Sequence, residues 1–147
     1  VVVPIGGGGL ISGVSMALKA LKPSVRVIGV ESAGAPAMKR SVEAGRRVVL
    51  DEVTCRIDGL VVKQVGEHTF EIAREFVDDI VTVPDEQIYE ALIWTLSRTK
   101  VVIEGAAAAP VAALLQELIP VTPEDNVVCV LSGGNVNLDQ LRGLTWN

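Results

Sequence analysis

Val1-Val2-Val3-Pro4-Ile5-Gly6-Gly7-Gly8-Gly9-Leu10 opens the chain, and its chemistry points to the architecture. The first five residues are apolar and mostly β-branched, which is strand chemistry. Four glycines end the strand, and Leu10–Leu21 continues with helical spacing as far as the stop at Lys22-Pro23. The alternation then repeats. Strand patterns fall at Val1–Ile5, Val25–Val30, Ile80–Val83 and Val127–Leu131. Helical patterns fall at Leu10–Leu21, Ala37–Ala44 (closed by Gly45), about Val65–Val77, from Pro84-Asp85-Glu86 onward, and at about Ala106–Leu118. Strands alternating with helices predict an α/β fold. The expected form is an open, twisted, mostly parallel sheet flanked by helices in three layers, αβα.

At 147 residues the chain can bury one substantial core. Hydrophobic residues make up 49%, yet no apolar run reaches the ~18 residues of a membrane-spanning helix, so strands buried on both faces account for the apolar content. With aromatics at only 3%, that core must be built from Val, Leu, Ile and Ala. A net charge of −5 without like-charge blocks argues against nucleic acid. Cys55 and Cys129 lack CxxC spacing and no secretory signal is present. Two reduced thiols in a cytoplasmic protein are expected, with Cys129 a small core residue. The chain opens inside a strand without an initiator Met, which reads as a fragment.

Four consecutive glycines let successive backbone N–H groups turn toward one point, and the helix that follows adds its positive dipole end. That is a cradle for a phosphate, with Ser12 as a helix cap or further donor. A Gly8→Asp replacement is expected to put a carboxylate into this cradle. The alternatives are a plain tight turn and a dinucleotide fingerprint with Glu31 as the ribose-binding acid. The G-x-G-x-x-G register fails at Ser12, and no lysine follows to make a P-loop. The last strand runs into a second glycine turn, Ser132-Gly133-Gly134-Asn135. Both turns follow strands, so both belong at the ligand-binding edge of a parallel sheet.

In this order the segments Pro4–Leu10 (PIGGGGL), Val27–Glu31 (VIGVE), Asp58-Gly59, Phe76–Val83 (FVDDIVTV), Val101–Gly105 (VVIEG) and Val130–Asn135 (VLSGGN) resemble the threonine dehydratase and serine racemase family. These are β-family (fold type II) pyridoxal 5′-phosphate (PLP) enzymes. The resemblance implies that Gly6, Gly7, Gly8 and Gly9 hold the cofactor phosphate, with Leu10 closing the loop. It places Ser132 at the pyridine nitrogen, and Gly59, Glu104 and Gly133 beside the cofactor. Glu104 can equally be a helix N-terminal acid, and Asp58 a turn residue. His68 reads as a solvated helix residue.

Relatives with a divalent cation carry acids just after VIGVE. Ala33 and Lys39 stand at those positions here, so no metal is expected and dehydratase chemistry is favoured over racemisation. The family's Schiff-base lysine lies in a Ser-Phe-Lys segment upstream of the tetraglycine loop. Lys19, Lys22, Lys39, Lys63 and Lys100 lack that context and read as surface residues, Lys100 with a partly buried stem.

The resemblance therefore implies most of a PLP-binding large domain, without the small domain and the lysine-bearing N-terminal half, and inactive alone. The complete enzyme would be a homo-oligomer that eliminates water from L-threonine, or L-serine, to give 2-oxobutanoate or pyruvate and ammonia. The alternatives are a serine racemase-like enzyme, an NAD(P)-binding Rossmann domain, and a non-catalytic cofactor-binding or interface fragment.

Overall fold

The computed structural model describes residues 1–143. Its elements run β1 (Val2–Pro4), α1 (Gly9–Leu21), β2 (Ile28–Ser32), α2 (Ala37–Ala44), α3 (Glu67–Phe76), β3 (Asp79–Val83), α4 (Asp85–Thr99), α5 (Gly105–Leu115) and α6 (Leu138–Arg142). The strands form a parallel sheet in the order β1-β2-β3, with Val2 opposite Ile28 and Ile28 opposite Asp79. Beyond β1, the segment 127–131 lies parallel and touches through one bridge, Val2 to Cys129. The Val2 amide donates to the Val128 carbonyl at 2.8 Å, and the Val130 amide donates to the Val2 carbonyl at 2.9 Å.

The α/β expectation holds. Helices α1, α2 and α3 pack together, with α1 against β1 and α2 against β3, while α5 lies across all three strands and α4 packs on α5. Ala106–Ala109, Ala112 and Ala113 are buried, so the small side chains of α5 let its axis approach the sheet. No helix among the described residues is long and apolar enough to cross a membrane.

Three expectations are corrected. The second strand begins at Ile28 rather than Val25, because the Val25 amide bonds the Lys22 carbonyl at 3.0 Å in the turn that leaves α1. The fourth strand is an irregular neighbour of β1, because its ladder is limited to that single bridge. Of the cysteines, Cys55 is the buried one and Cys129 is only half-buried, because the latter sits on the irregular outer segment.

The topology fixes where a ligand can bind. From β1 the chain winds through α1 toward β2 and β3, while 127–131 returns to the opposite side of β1. The strand order reverses between β1 and 127–131, and a crevice opens beyond the strand ends at such a switch point.

A candidate cofactor cleft at the switch point

Beyond the end of β1 lies a cleft of about 220 Å³ lined by Gly6–Gly9, Leu10, Gly59, Glu104 and Ser132, with Pro4, Leu60 and Ala106 completing it. Eight of the nine residues expected at a cofactor thus share one cleft. The ninth, Gly133, stands behind it. A Cβ there would lie 2.6 Å from the Glu104 Oε1, so Gly133 makes room for that carboxylate instead of lining the space.

The glycine loop owes its shape to positions that no side chain can share. Gly8 has φ +92°, and a Cβ on it would sit 2.6 Å from Met38 Cε and 2.9 Å from Thr69 Cβ. A carboxylate at position 8 would therefore run into the helices behind the loop rather than enter the cradle, which corrects the expectation for Gly8→Asp. Gly7 and Gly9 differ, because a Cβ on either would meet nothing within 4 Å. Thr69 on α3 steadies the loop by donating from its hydroxyl to the Gly7 carbonyl at 2.8 Å. Nothing local in the sequence marks Thr69, since the bond spans 62 residues.

Gly8 is the N-cap of α1, with no side-chain cap and no acid in the first turn. The opening amides of the helix therefore keep their donors and positive dipole end for an anion. Of the two roles expected for Ser12, helix cap or further donor, the cap is not formed. It is buried, and among the described residues its Oγ has no partner.

Glu104 precedes α5 as its N-cap residue, but its side chain makes no cap bond. Its Oε2 accepts the Asn135 amide at 3.2 Å, and its own amide donates to the Gly133 carbonyl at 3.0 Å. Glu104 thus ties the start of α5 to the turn that presents Ser132. Gly59, with φ +85°, lines the cleft as well, and its carbonyl oxygen would be 2.1 Å from a Cβ on Gly6. The two backbones pass so closely that only glycine is possible at position 6.

Asp58 and His68 are exposed, and neither lines the cleft. Lys100 is exposed too. It is the C-cap of α4, in a left-handed conformation with φ 63°. None of the five lysines lines the cleft.

Glu31, the acid required by a dinucleotide reading, is committed elsewhere. Its Oε1 accepts the Met38 amide at 2.7 Å and its Oε2 the Lys39 amide at 2.8 Å, so both oxygens close the start of α2. Burial pushes its carboxyl up to about 7, against the pull of those two amides. A carboxylate fully used by a helix is not available to a ribose.

The residues present fit a phosphate monoester attached to a ring. Uncapped helix amides and glycines facing open space suit the phosphate, and the exposed hydroxyl of Ser132 in the same cleft suits the ring.

Comparisons with known proteins agree. The L-threonine ammonia-lyase of Geobacter sulfurreducens is 44% identical over 138 residues, covering 94% of this chain and 34% of that protein. The catabolic L-threonine dehydratase of Escherichia coli K12 is 41% identical over 146 residues, covering 99% of this chain and 44% of that one. Among solved structures, the T.th. threonine deaminase matches with a TM-score of 0.86 and 42% identity, over 92% of this chain and 49% of that one. Maize serine racemase matches with a TM-score of 0.88 and 36% identity, over 96% and 44%. The chain thus spans about a third to a half of the length of these relatives. The family model described as pyridoxal-phosphate dependent enzyme matches residues 1–133, and the chain belongs to that family.

Proposed function

We propose that this chain is the cofactor-phosphate-binding part of a threonine dehydratase-type lyase, within a large domain that the complete enzyme finishes with a small domain and a lysine-bearing segment. The observation that carries the reading is the meeting of Gly6–Gly9 and Ser132 in one cleft at the switch point. The threonine ammonia-lyase and dehydratase names of relatives at 41–44% identity support the substrate class.

Bound PLP would supply the electron sink that makes the α-proton of an amino acid acidic and lets a β-hydroxyl leave. The residues of this chain do the holding. Amides of Gly6–Gly9 and the first turn of α1 bind the phosphate dianion, and Leu10 closes the loop. The Ser132 hydroxyl meets the ring nitrogen without adding charge, which suits elimination better than a carboxylate partner would. Glu104, through the Asn135 amide, fixes the turn that aims Ser132. Gly59 and Leu60 also wall the cleft. The amine that bonds the cofactor and moves the α-proton comes from a lysine outside these residues, so the chain alone does not turn over substrate.

Titration with PLP and, separately, NAD, followed by absorbance and fluorescence, tests the cofactor. Saturable binding of PLP alone is expected, and binding of NAD instead would remove the proposal. In the complete enzyme, Ser132→Ala should retain PLP, shift its absorption maximum and change the rate of 2-oxo acid release from L-threonine. Collapse of PLP affinity with normal turnover per bound cofactor would refute the role given to Ser132.

A further inference from the structure

The segment between α2 and α3 has no regular secondary structure where it delivers Gly59 to the cleft, so something must hold it. The hold comes from α4, outside the cleft. Asp85, in the first turn of α4, is buried although it is an acid. Its Oδ2 accepts the Arg56 amide at 2.6 Å, and its Oδ1 accepts the Ser32 hydroxyl at 2.6 Å. Ser32 Oγ in turn accepts the Gly34 amide at 3.0 Å, and the Thr54 amide donates to the Gly34 carbonyl at 2.9 Å. One turn along α4, the Tyr89 hydroxyl donates to the Arg56 carbonyl at 3.2 Å.

Both polar groups of the backbone at Arg56 are therefore gripped by residues four apart on one helix, which is the spacing of a single helix face. Three residues later the chain reaches Gly59, whose carbonyl leaves no space for a Cβ on Gly6. A displacement at Arg56 is carried directly to the wall of the cleft. Short charge-assisted bonds to backbone amides set position more firmly than neutral ones.

We infer that Asp85 and Tyr89 form a clasp on the Arg56 peptide that positions the Gly59 wall of the cleft, and so set cofactor affinity without touching the cofactor. This rests on the PLP reading above. A wall held at fixed spacing from the glycine loop presents a preformed slot, and binding then spends little free energy on ordering it.

The test titrates PLP into the complete enzyme, as wild type and with Asp85→Asn or Tyr89→Phe. It follows the emission maximum of the bound ring alongside the thermal midpoint of each protein without cofactor. Asn at position 85 cannot accept from both the Ser32 hydroxyl and the Arg56 amide with equal strength, and Phe at position 89 removes one hydroxyl only. The expected Kd for PLP rises about tenfold in Asp85→Asn and about threefold in Tyr89→Phe, each with a shifted emission maximum. Should Asp85→Asn unfold, Tyr89→Phe decides alone. Wild-type affinity and emission in the variants overturn the clasp while leaving the cofactor reading intact, as does a loss of binding that merely tracks the unfolded fraction. If the wild-type complete enzyme itself does not bind PLP, the cofactor reading fails and the clasp falls with it.

Discussion

Gly9 is both the first residue of α1 and part of the cleft lining, and the two roles respond oppositely to charge. An Asp at position 9 meets no atom within 4 Å of its Cβ, and it supplies the acid that the first turn of α1 lacks. The macrodipole then stabilises the helix by about 0.3–1 kcal/mol. The same carboxylate stands beside the place of a phosphate dianion, where like charges repel. Gly9→Asp should therefore keep or slightly raise the thermal midpoint of the cofactor-free chain while PLP binding is lost by titration. Retained affinity would show that the anion lies elsewhere. Gly8→Ala is the contrasting variant. At φ +92° and 2.6 Å from Met38 its cost falls on folding itself, by about 2 kcal/mol or more, read by chemical denaturation.

Helix α5 touches the whole sheet, and its tolerance differs sharply by face. Ala108 is fully buried, whereas Leu115 at the end of the helix is 43% exposed. Ala108→Leu forces added carbons into the close packing around α5 and should cost about 1–3 kcal/mol, lowering the melting midpoint by several degrees. Leu115→Ala should stay within about 0.5 kcal/mol of wild type. This helix, like α1, α2, α3 and α4, is legible in the sequence because its pattern is local: a glycine or Pro-Asp start, a small or striped buried face, a marked stop. Gly6–Gly9 and the Ser132–Asn135 turn are legible for the same reason, since each directly follows an apolar run. The path of 46–66 is not. It is held by bonds distant in sequence, such as those from Arg56 to Asp85 and Tyr89, 29 and 33 residues further on, and by no periodicity of its own. Thr69 is hidden likewise. Cys55 carries no local signal either, because the fold around Ser32 and Asp85, not its neighbours in sequence, buries it.

For the molecule as a whole, one buried acid should give stability a pH dependence over a near-neutral window. Glu31 is 1% exposed between β2 and α2, and burial raises its carboxyl from an ordinary 4.5 to about 7 in the folded chain. Lys39 does not neutralise it directly, because its ammonium is turned to the Ile80 carbonyl and to Glu43. A folded-state value above the unfolded one means that the native chain binds the proton more tightly. The stabilisation is complete below about pH 4.5 and is lost as pH rises through 7, to a limit of about 3 kcal/mol. Asp78 acts at the other end. Burial raises its carboxyl, but Lys19 and the Val27 amide outweigh this and hold it below its ordinary value. Its contribution is present above pH 3.8 and is lost only under more acidic conditions. Urea denaturation from pH 4.5 to 7.5 should therefore show stability falling with pH, and Glu31→Gln should flatten that slope by removing the titrating proton. The same variant loses an acceptor for one of the two α2 amides, so its stability at pH 5 should lie below that of wild type by about 1–3 kcal/mol. A wild-type profile that is flat or rises across this window would mean that the two amides, rather than burial, govern the charge of Glu31.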